Sequence, residues 1–533
     1  MLNFLPFFLI ILMIIGLMIL QRTHLPIGTI WLLLVVFALI NWFGMLLLHS
    51  HLPDALVIKN WFPLSLSSDT INLHLGEDNW FLFFAMNSLL VGILLASSTY
   101  LQSSDIFKSW FGVLALSSIG MLALLADSPL AFIFMWALID VIEIIVFTII
   151  NRDQTLSIQT SAVFLGRILG LGLVLVAMIL ANQSQSPLEL SSANGGILSL
   201  LIAGACLRLG VLPIHLPYTQ DLVERRNLGT ILRILAPLSA IEFLSKLAVP
   251  QSVHGIDLTI LLLAFVSCLF GALNWFSSQN ELDGRPYWIL SFSGLAVMAY
   301  FHGQSNGVII WGTLMVIIGG WVFLSESHPR KIDPLLPVAL LAISGIPFTP
   351  SSFSMTGLVT DPLKVFNPFI WLSLAFLMAG MVKFSTGGRN EARPLENWMK
   401  LFSLLGMTIL VLSPWTIILF KVQGWNQTSF WWVALILLLV FSVIISIKYV
   451  HFIKARISNS QVNKLFLRFF PFGKAINHFF HFEWIYPLFA FLFNIFRRIV
   501  NELNLILAGE GGILWALVFL ALLVSLLVNG RGG

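Results

Sequence analysis

The chain has 533 residues, of which 58% are hydrophobic and only 10% charged, and its mean hydropathy is +0.95. That balance excludes a soluble globular protein of this length and points to a polytopic membrane protein. The formal net charge of +4 is small and its basic residues are scattered among polar connections, which argues against nucleic acid as a partner.

Apolar runs long enough to cross a hydrocarbon core of about 30 Å recur from end to end. The first covers residues 3–21. It is apolar from its start and Arg22 follows it instead of preceding it, so it reads as a membrane helix and not as a secretory signal. Further spans are predicted at 27–48, 79–101, 109–126, 128–150, 160–182, 196–216, 229–249, 257–276, 286–302, 307–325, 335–361 (broken), 367–384, 399–420, 431–449 and 511–529. This is an all-α polytopic protein of about 14–16 transmembrane helices. The longest polar connections, near 183–195, 217–228, 277–286 and 385–398, are too short to carry an independent core. Cys206 and Cys268 both fall inside predicted spans, and support neither a disulfide framework nor a zinc site.

Past residue 447 the composition changes. Lys448, Lys454, Arg456, Lys464, Arg468 and Lys474 follow a span directly, and the positive-inside rule places them on the cytoplasmic side. Residues 475–505 mix Phe, Trp484 and Tyr486 with His478, Glu483, Arg497 and Glu502. A long amphipathic helix on the membrane surface, broken at Pro487, suits that mixture, and two short helices packed on the bundle suit it equally well. The chain is expected to divide into N-terminal membrane helices (1–75), a transmembrane body (76–450), a basic and amphipathic interfacial region (451–510) and a C-terminal membrane helix (511–533).

Two proline-broken apolar segments stand in corresponding places in the two halves. One runs Arg208-Leu-Gly-Val-Leu-Pro213-Ile-His215-Leu-Pro217, the other Ser344-Gly345-Ile-Pro347-Phe-Thr-Pro350-Ser-Ser-Phe353. Proline inside a helix removes a backbone hydrogen bond and clashes with the preceding turn, so within lipid it persists only where protein or water satisfies the freed carbonyls. Paired broken helices are how ion-translocating membrane proteins build sites near the bilayer midplane, although ordinary kinked helices give the same pattern.

Ionisable side chains inside spans are few, and each needs a partner, water or a task. Asp140 and Glu143 are three residues apart and share one helical face. Two carboxylates so placed repel when both are ionised, which suits a proton-binding pair; the alternative is a structural pair met by an arginine such as Arg208 or Arg167. Arg208 stays charged, so it can hold an anion or polarise water but does not carry a proton through a cycle. His215 could relay protons at the first break, or be a satisfied structural residue. Glu242 and Lys246 have the i, i+4 spacing of an intrahelical ion pair, and Arg233 in the same span could extend a polar file from Arg208. The second break offers Thr349, Ser351, Ser352 and Ser354 but no charge before Asp361.

Arg208-Leu-Gly-Val-Leu-Pro213-Ile-His215, followed by Ala236-Pro237-Leu238, resembles the Lys-x-x-x-x-Pro-x-His and Ala-Pro-Lys segments of antiporter-like proton-channel subunits. These occur in the membrane arm of respiratory complex I, in membrane-bound hydrogenases and in multisubunit sodium/proton antiporters. Gly345-Ile-Pro347-Phe-Thr-Pro-Ser-Ser-Phe353-Ser-Met355 is similar to the family's Gly-x-Pro-Pro-x-x-Gly-Phe-x-x-Lys break, and Gly509-Glu-Gly-Gly-Ile-Leu-Trp515 before the last span resembles its longer members that bear a lateral helix. The likeness covers roughly residues 75–450. It implies two inverted five-helix repeats, each with one proline-broken helix, and a line of charge across the membrane centre. The family's glutamate beside tryptophan falls on Ala137, with Asp140 or Glu143 a turn or two on. Its lysines fall on Arg208, Leu238 and Met355.

The resemblance therefore implies an antiporter-like membrane subunit of a complex-I-related, NADH/quinone-oxidoreductase-like or antiporter assembly, involved in proton or cation translocation along a partly degenerate path. Its ion pathway would be Asp140, Glu143, Arg208, His215, Arg233, Glu242 and Lys246, and its helix breaks Pro213, Pro347 and Pro350. Partners would be other membrane subunits and the lipid bilayer, and no cofactor is expected because no flavin, iron–sulfur or nucleotide motif occurs. The expected location is an energy-coupling membrane, the bacterial cytoplasmic membrane. The alternatives are a non-translocating scaffold with the same fold, and a stand-alone transporter of an anion paired with Arg208.

Overall fold

A computed structural model describes residues 5–23, 25–58, 70–101, 106–150, 158–183, 188–193, 195–212, 214, 226–250, 255–325, 334–346, 348–358, 367–386, 396–420 and 439–440, with isolated positions beyond. The predicted spans 431–449 and 511–529, the basic stretch and the 475–505 helix lie outside the described residues, apart from those isolated positions. Along the chain come α1 (Leu5–Leu20), α2 (Ile27–Leu48), strands β1 (Asp54–Ile58) and β2 (Ile71–Leu75), α3 (Trp80–Ala96), α4 (Ile106–Leu124), α5 (Pro129–Ile150), α6 (Ile158–Gln183), α7 (Gly195–Leu209) and α8 (Arg226–Lys246). They are followed by α9 (Ile256–Ser277), α10 (Glu281–Phe301), α11 (Ser305–Leu324), α12 (Leu336–Ile343), α13 (Ser352–Leu358), α14 (Asn367–Thr386), α15 (Asn397–Leu412) and α16 (Thr416–Phe420). Among the described residues nine helices are long and apolar enough to cross a membrane, and the architecture is an all-α polytopic membrane protein.

Sequence reading did not find the antiparallel hairpin β1–β2, in which Asp54 pairs with Leu75 and Ile58 with Ile71. It is tied to the α4–α5 turn by His74 N–H to the Leu125 carbonyl, 2.7 Å, and Asp127 N–H to that of Asn72, 2.9 Å. This defines a hairpin face of the bundle. Helices α4 to α8, and then α9 to α14 with α12 and α13 counted as one broken helix, form two successive sets of five. The chain crosses in alternate directions, so α4 runs toward the hairpin face and α9 away from it, and the two sets are inverted.

Every residue of α3 is buried, and so is every residue of α11 from Gly307 onward, as their continuous apolar sequences require. On the outer helices the apolar side chains face outward instead: Phe8, Leu12, Phe43 and Leu47 on α1 and α2, Val141 and Ile145 on α5, Ile179 on α6, and Ile256 and Leu262 on α9. Such a surface is matched to hydrocarbon and not to water. Glycine sets the closest helix approaches. A Cβ built on Gly170 of α6 would lie 2.7 Å from the Gly204 carbonyl oxygen of α7, and one on Gly204 would lie 2.8 Å from that of Gly170. Between α9 and α10, a Cβ on Gly271 would meet the Tyr287 carbonyl oxygen at 2.6 Å. Small residues at these crossings let backbones meet without a hydrophobic force between them.

Candidate functional site

Helix α7 ends at Leu209 because Gly210 takes a φ of +76°. The amides of Gly210, Val211 and Leu212 turn back onto the carbonyls of Leu207, Cys206 and Cys206 at 3.3, 2.9 and 3.2 Å. This closes the helix as a glycine cap does. Arg208 therefore sits in the last turn, where the carbonyl end of the helix favours a cation. Pro213 and His215 lie outside the described residues.

From that position Arg208 reaches α5. Its Nη1 donates to Asp140 Oδ2 at 2.8 Å, and its Nη2 to Asp140 Oδ1 at 2.9 Å and to the Trp136 carbonyl at 3.3 Å. Its guanidinium also covers the Trp136 ring, 4.9 Å from the centroid, a favourable place for a cation. On the other side Arg167 of α6 donates to Glu143 and stands 3.5 Å from Asp140 Oδ1. All four side chains are buried. Two carboxylates and two guanidiniums leave the cluster without net formal charge, which is how charge tolerates a low-dielectric surrounding. The Gly170–Gly204 crossing places it, since Arg167 stands one turn before Gly170 and Arg208 one turn after Gly204. The two arginine partners weighed for Asp140 and Glu143 are thus both engaged.

Helix α8 carries the other predicted charges. Glu242 is fully buried. Lys246 Nζ lies 3.5 Å from Glu242 Oε1, the expected i, i+4 pair, but 2.6 Å from Asp127 Oδ1 of the α4–α5 turn. Arg233 is also buried; its Nη1 donates to the Gly229 carbonyl at 3.1 Å. Close by, the buried Arg285 of α10 donates from Nη1 to Thr230 Oγ1 at 3.3 Å. Arg226, at the opposite end of α8 from Lys246, binds Glu281 Oε1 at 2.6 Å and the carbonyls of Phe323 and Ser325 at 3.3 and 2.8 Å.

The second break has no charge among its described residues and is satisfied by hydroxyls. Gly345, with φ +71°, donates its amide to Ser351 Oγ at 2.8 Å, and the Ser351 amide returns to the Ala342 carbonyl at 3.2 Å. Thr349, Ser352 and Ser354 each donate to a carbonyl three residues back. Pro350 is buried in this turn, and Pro347 lies outside the described residues. Met355 is fully buried, and a Cβ on Gly345 would lie 3.1 Å from its Cγ. Leu238, the other position where the resemblance would put a lysine, is also fully buried, among apolar neighbours on α8.

Among the charged residues outside the predicted pathway, three stand next to its members. Arg167 was visible only as a possible counter-ion in the middle of span 160–182. Arg285 stood just outside the predicted edge of span 286–302, which hid it. Asp127 falls between two spans, and only the fold brings it to Lys246.

No family model matches the chain, and no curated protein matches it by sequence. Solved structures do match. A chain of the Mrp complex from Dietzia sp. DQ12-45-1b superposes with a TM-score of 0.61 over 82% of this chain, at 14% identity; this chain spans 56% of that one. A chain of the membrane-bound sulfane sulfur reductase, an archaeal respiratory membrane complex, superposes with a TM-score of 0.62 at 13% identity, covering 98% of this chain and 99% of that one. The end of α7 at Gly210, the break between α12 and α13, the inverted sets of five helices and these superpositions agree, and the chain shares the fold of these membrane-complex subunits.

Proposed function

We propose that this chain is an antiporter-like membrane subunit of a complex-I-related multisubunit assembly, and that it moves protons along a path confined largely to its first inverted repeat. One observation carries this reading. Glu143 Oε1 and both carboxylate oxygens of Glu242 are buried and accept no hydrogen bond within the described residues. Buried acceptors left with spare capacity are where water enters, and water is what passes protons between fixed carboxylates. Neighbouring subunits would supply the energy source, and an energy-coupling membrane such as the bacterial cytoplasmic membrane would hold the assembly.

A scaffold reading is favoured by a different observation: Leu238 in the first repeat and Met355 in the second are fully buried and apolar, so each repeat lacks a charge where the resemblance would place one. One experiment separates the two. Glu143→Gln and Asp140→Asn chains are reconstituted with their co-purifying partners, and proton flux is followed with a pH-sensitive dye. Translocation predicts flux lower by about 10²-fold, the usual weight of a proton-transfer group, with the assembly intact. Unchanged flux would overturn proton translocation and favour the scaffold.

A further inference from the structure

A cavity of about 370 Å³ lies on the hairpin face, between the β2–α3 turn, the last turn of α8 and the first turn of α11. Its wall changes character with depth. Glu77, Asp78 and Ser305 are exposed at the rim, whereas Asn79 and Glu242 at the floor are buried. Between them Lys246, held at 2.6 Å by Asp127, lines the wall. The volume accommodates several waters, and the lining offers them polar partners. Glu242 is 0% exposed and lines this cavity; its polar neighbours are the Lys246 ammonium, 3.5 Å from Oε1, and the Asn79 side chain, neither closing a full hydrogen bond to it. The titratable groups around it are Lys246 on its own helix, Asp127 from the α4–α5 turn, and His74, Glu77 and Asp78 from the segment leading into α3. Inward of Glu242, Ile241, Leu238 and Ile234 are all fully buried.

We propose that this cavity is a water-filled mouth through which the first repeat exchanges protons with the aqueous phase on the hairpin face, and that Glu242 is the group that receives them. In the exchange a hydronium in the mouth gives one proton to the Glu242 carboxylate and leaves as water. Lys246 then loses its ionic contact with Glu242 and rests on Asp127 alone; the reverse step releases the proton to the same face. The acidic rim draws protons and other cations toward the floor. Asp127 matters as the residue that keeps the ammonium beside Glu242, and so acts as a positioning residue. This inference rests on the translocation reading above, and it adds the aqueous phase from which the first repeat is served.

The test joins sided labelling to flux. Single-cysteine chains Ser245→Cys, Ala55→Cys and Gln279→Cys are placed in sealed vesicles with the partner subunits and treated with a membrane-impermeant, positively charged thiosulfonate. Ala55 on β1 marks the hairpin face and Gln279, between α9 and α10, marks the other. The native Cys206 and Cys268 are both buried. Ser245→Cys is expected to react from the side on which Ala55→Cys reacts. Inertness while Ala55→Cys reacts, or reaction from the Gln279 side, overturns the mouth. Glu242→Gln, with assembly checked by co-purification, is expected to lower proton flux by about 10²-fold. If Glu143→Gln abolishes flux and Glu242→Gln leaves it unchanged, the mouth is overturned and the translocation reading stands. If neither variant changes flux, both fall.

Discussion

Arg208 grips Asp140 with both terminal nitrogens, at 2.8 and 2.9 Å, across 68 positions of sequence. The pair is buried, and the acid also lies 3.5 Å from Arg167. Each charge in such a set is tolerable because of the others. Asp140→Ala or Arg208→Ala alone should therefore destabilise the chain by about 3–5 kcal/mol, the usual cost of orphaning a buried charge. The double variant should cost clearly less than the two singles together. Thermal unfolding of detergent-solubilised protein, run as a double-mutant cycle, measures that coupling.

The Gly170–Gly204 crossing is open to a finer test. A methyl group on Gly204 would press on backbone at 2.8 Å, which cannot move aside as a side chain can. Gly204→Ala should cost about 1–3 kcal/mol and should loosen the Arg208 and Arg167 contacts with α5. Gly172→Ala, on the same helix as Gly170 but with nothing within 4 Å of the new methyl, should be neutral or slightly stabilising. A matched pair of melting curves decides it; equal losses would remove the crossing as the cause.

At the second break Met355 fills the space beside Gly345, whose φ is +71°. Met355→Leu should be tolerated, since the two side chains are close in volume. Met355→Ala should lower stability by about 2–5 kcal/mol through the cavity it leaves. Under the proposed function, proton flux through intact Met355→Leu assemblies equals that of the native protein, and a large fall in flux would return the second repeat to the pathway.

Arg226 ties three helix ends together on the face opposite the hairpin, through Glu281 at 2.6 Å and the carbonyls of Phe323 and Ser325. Lysine keeps the charge but cannot present the forked donors of a guanidinium. Arg226→Lys should therefore show most of the destabilisation of Arg226→Gln, about 1–3 kcal/mol. Limited proteolysis between α11 and α12 reports the loosening. If Arg226→Lys melts like the native protein, charge alone matters there.

Most helix positions were legible in the sequence because a span leaves a long apolar run that no soluble element imitates. Span 27–48 meets α2 at Ile27–Leu48, and span 160–182 meets α6 at Ile158–Gln183. The interruptions after Leu209 and after Ile343 were legible too, since proline and glycine act on the local backbone. What escaped was whatever depended on distant partners. Ile71-Asn-Leu-His-Leu alternates as a strand should, but five residues beside a long span carry little weight. Asp127 meets Lys246 across 119 positions, and no local pattern signals that. Span 196–216 was read without the turn that Gly210 makes after Leu209, because the apolar run continues through it; Pro213, His215 and Leu216 lie outside the described residues.

The order in which the charged cluster appears along the chain constrains how the protein is made. Asp140 and Glu143 emerge from the ribosome on α5, while Arg167 and Arg208 follow on α6 and α7. A nascent α5 released sideways into lipid would carry two uncompensated carboxylates into hydrocarbon, each at about 2.5–3.5 kcal/mol even on lenient insertion scales. Joint entry of α5, α6 and α7 as one electrically balanced unit removes that penalty, whereas α5 entering alone would have to take up protons on both carboxylates.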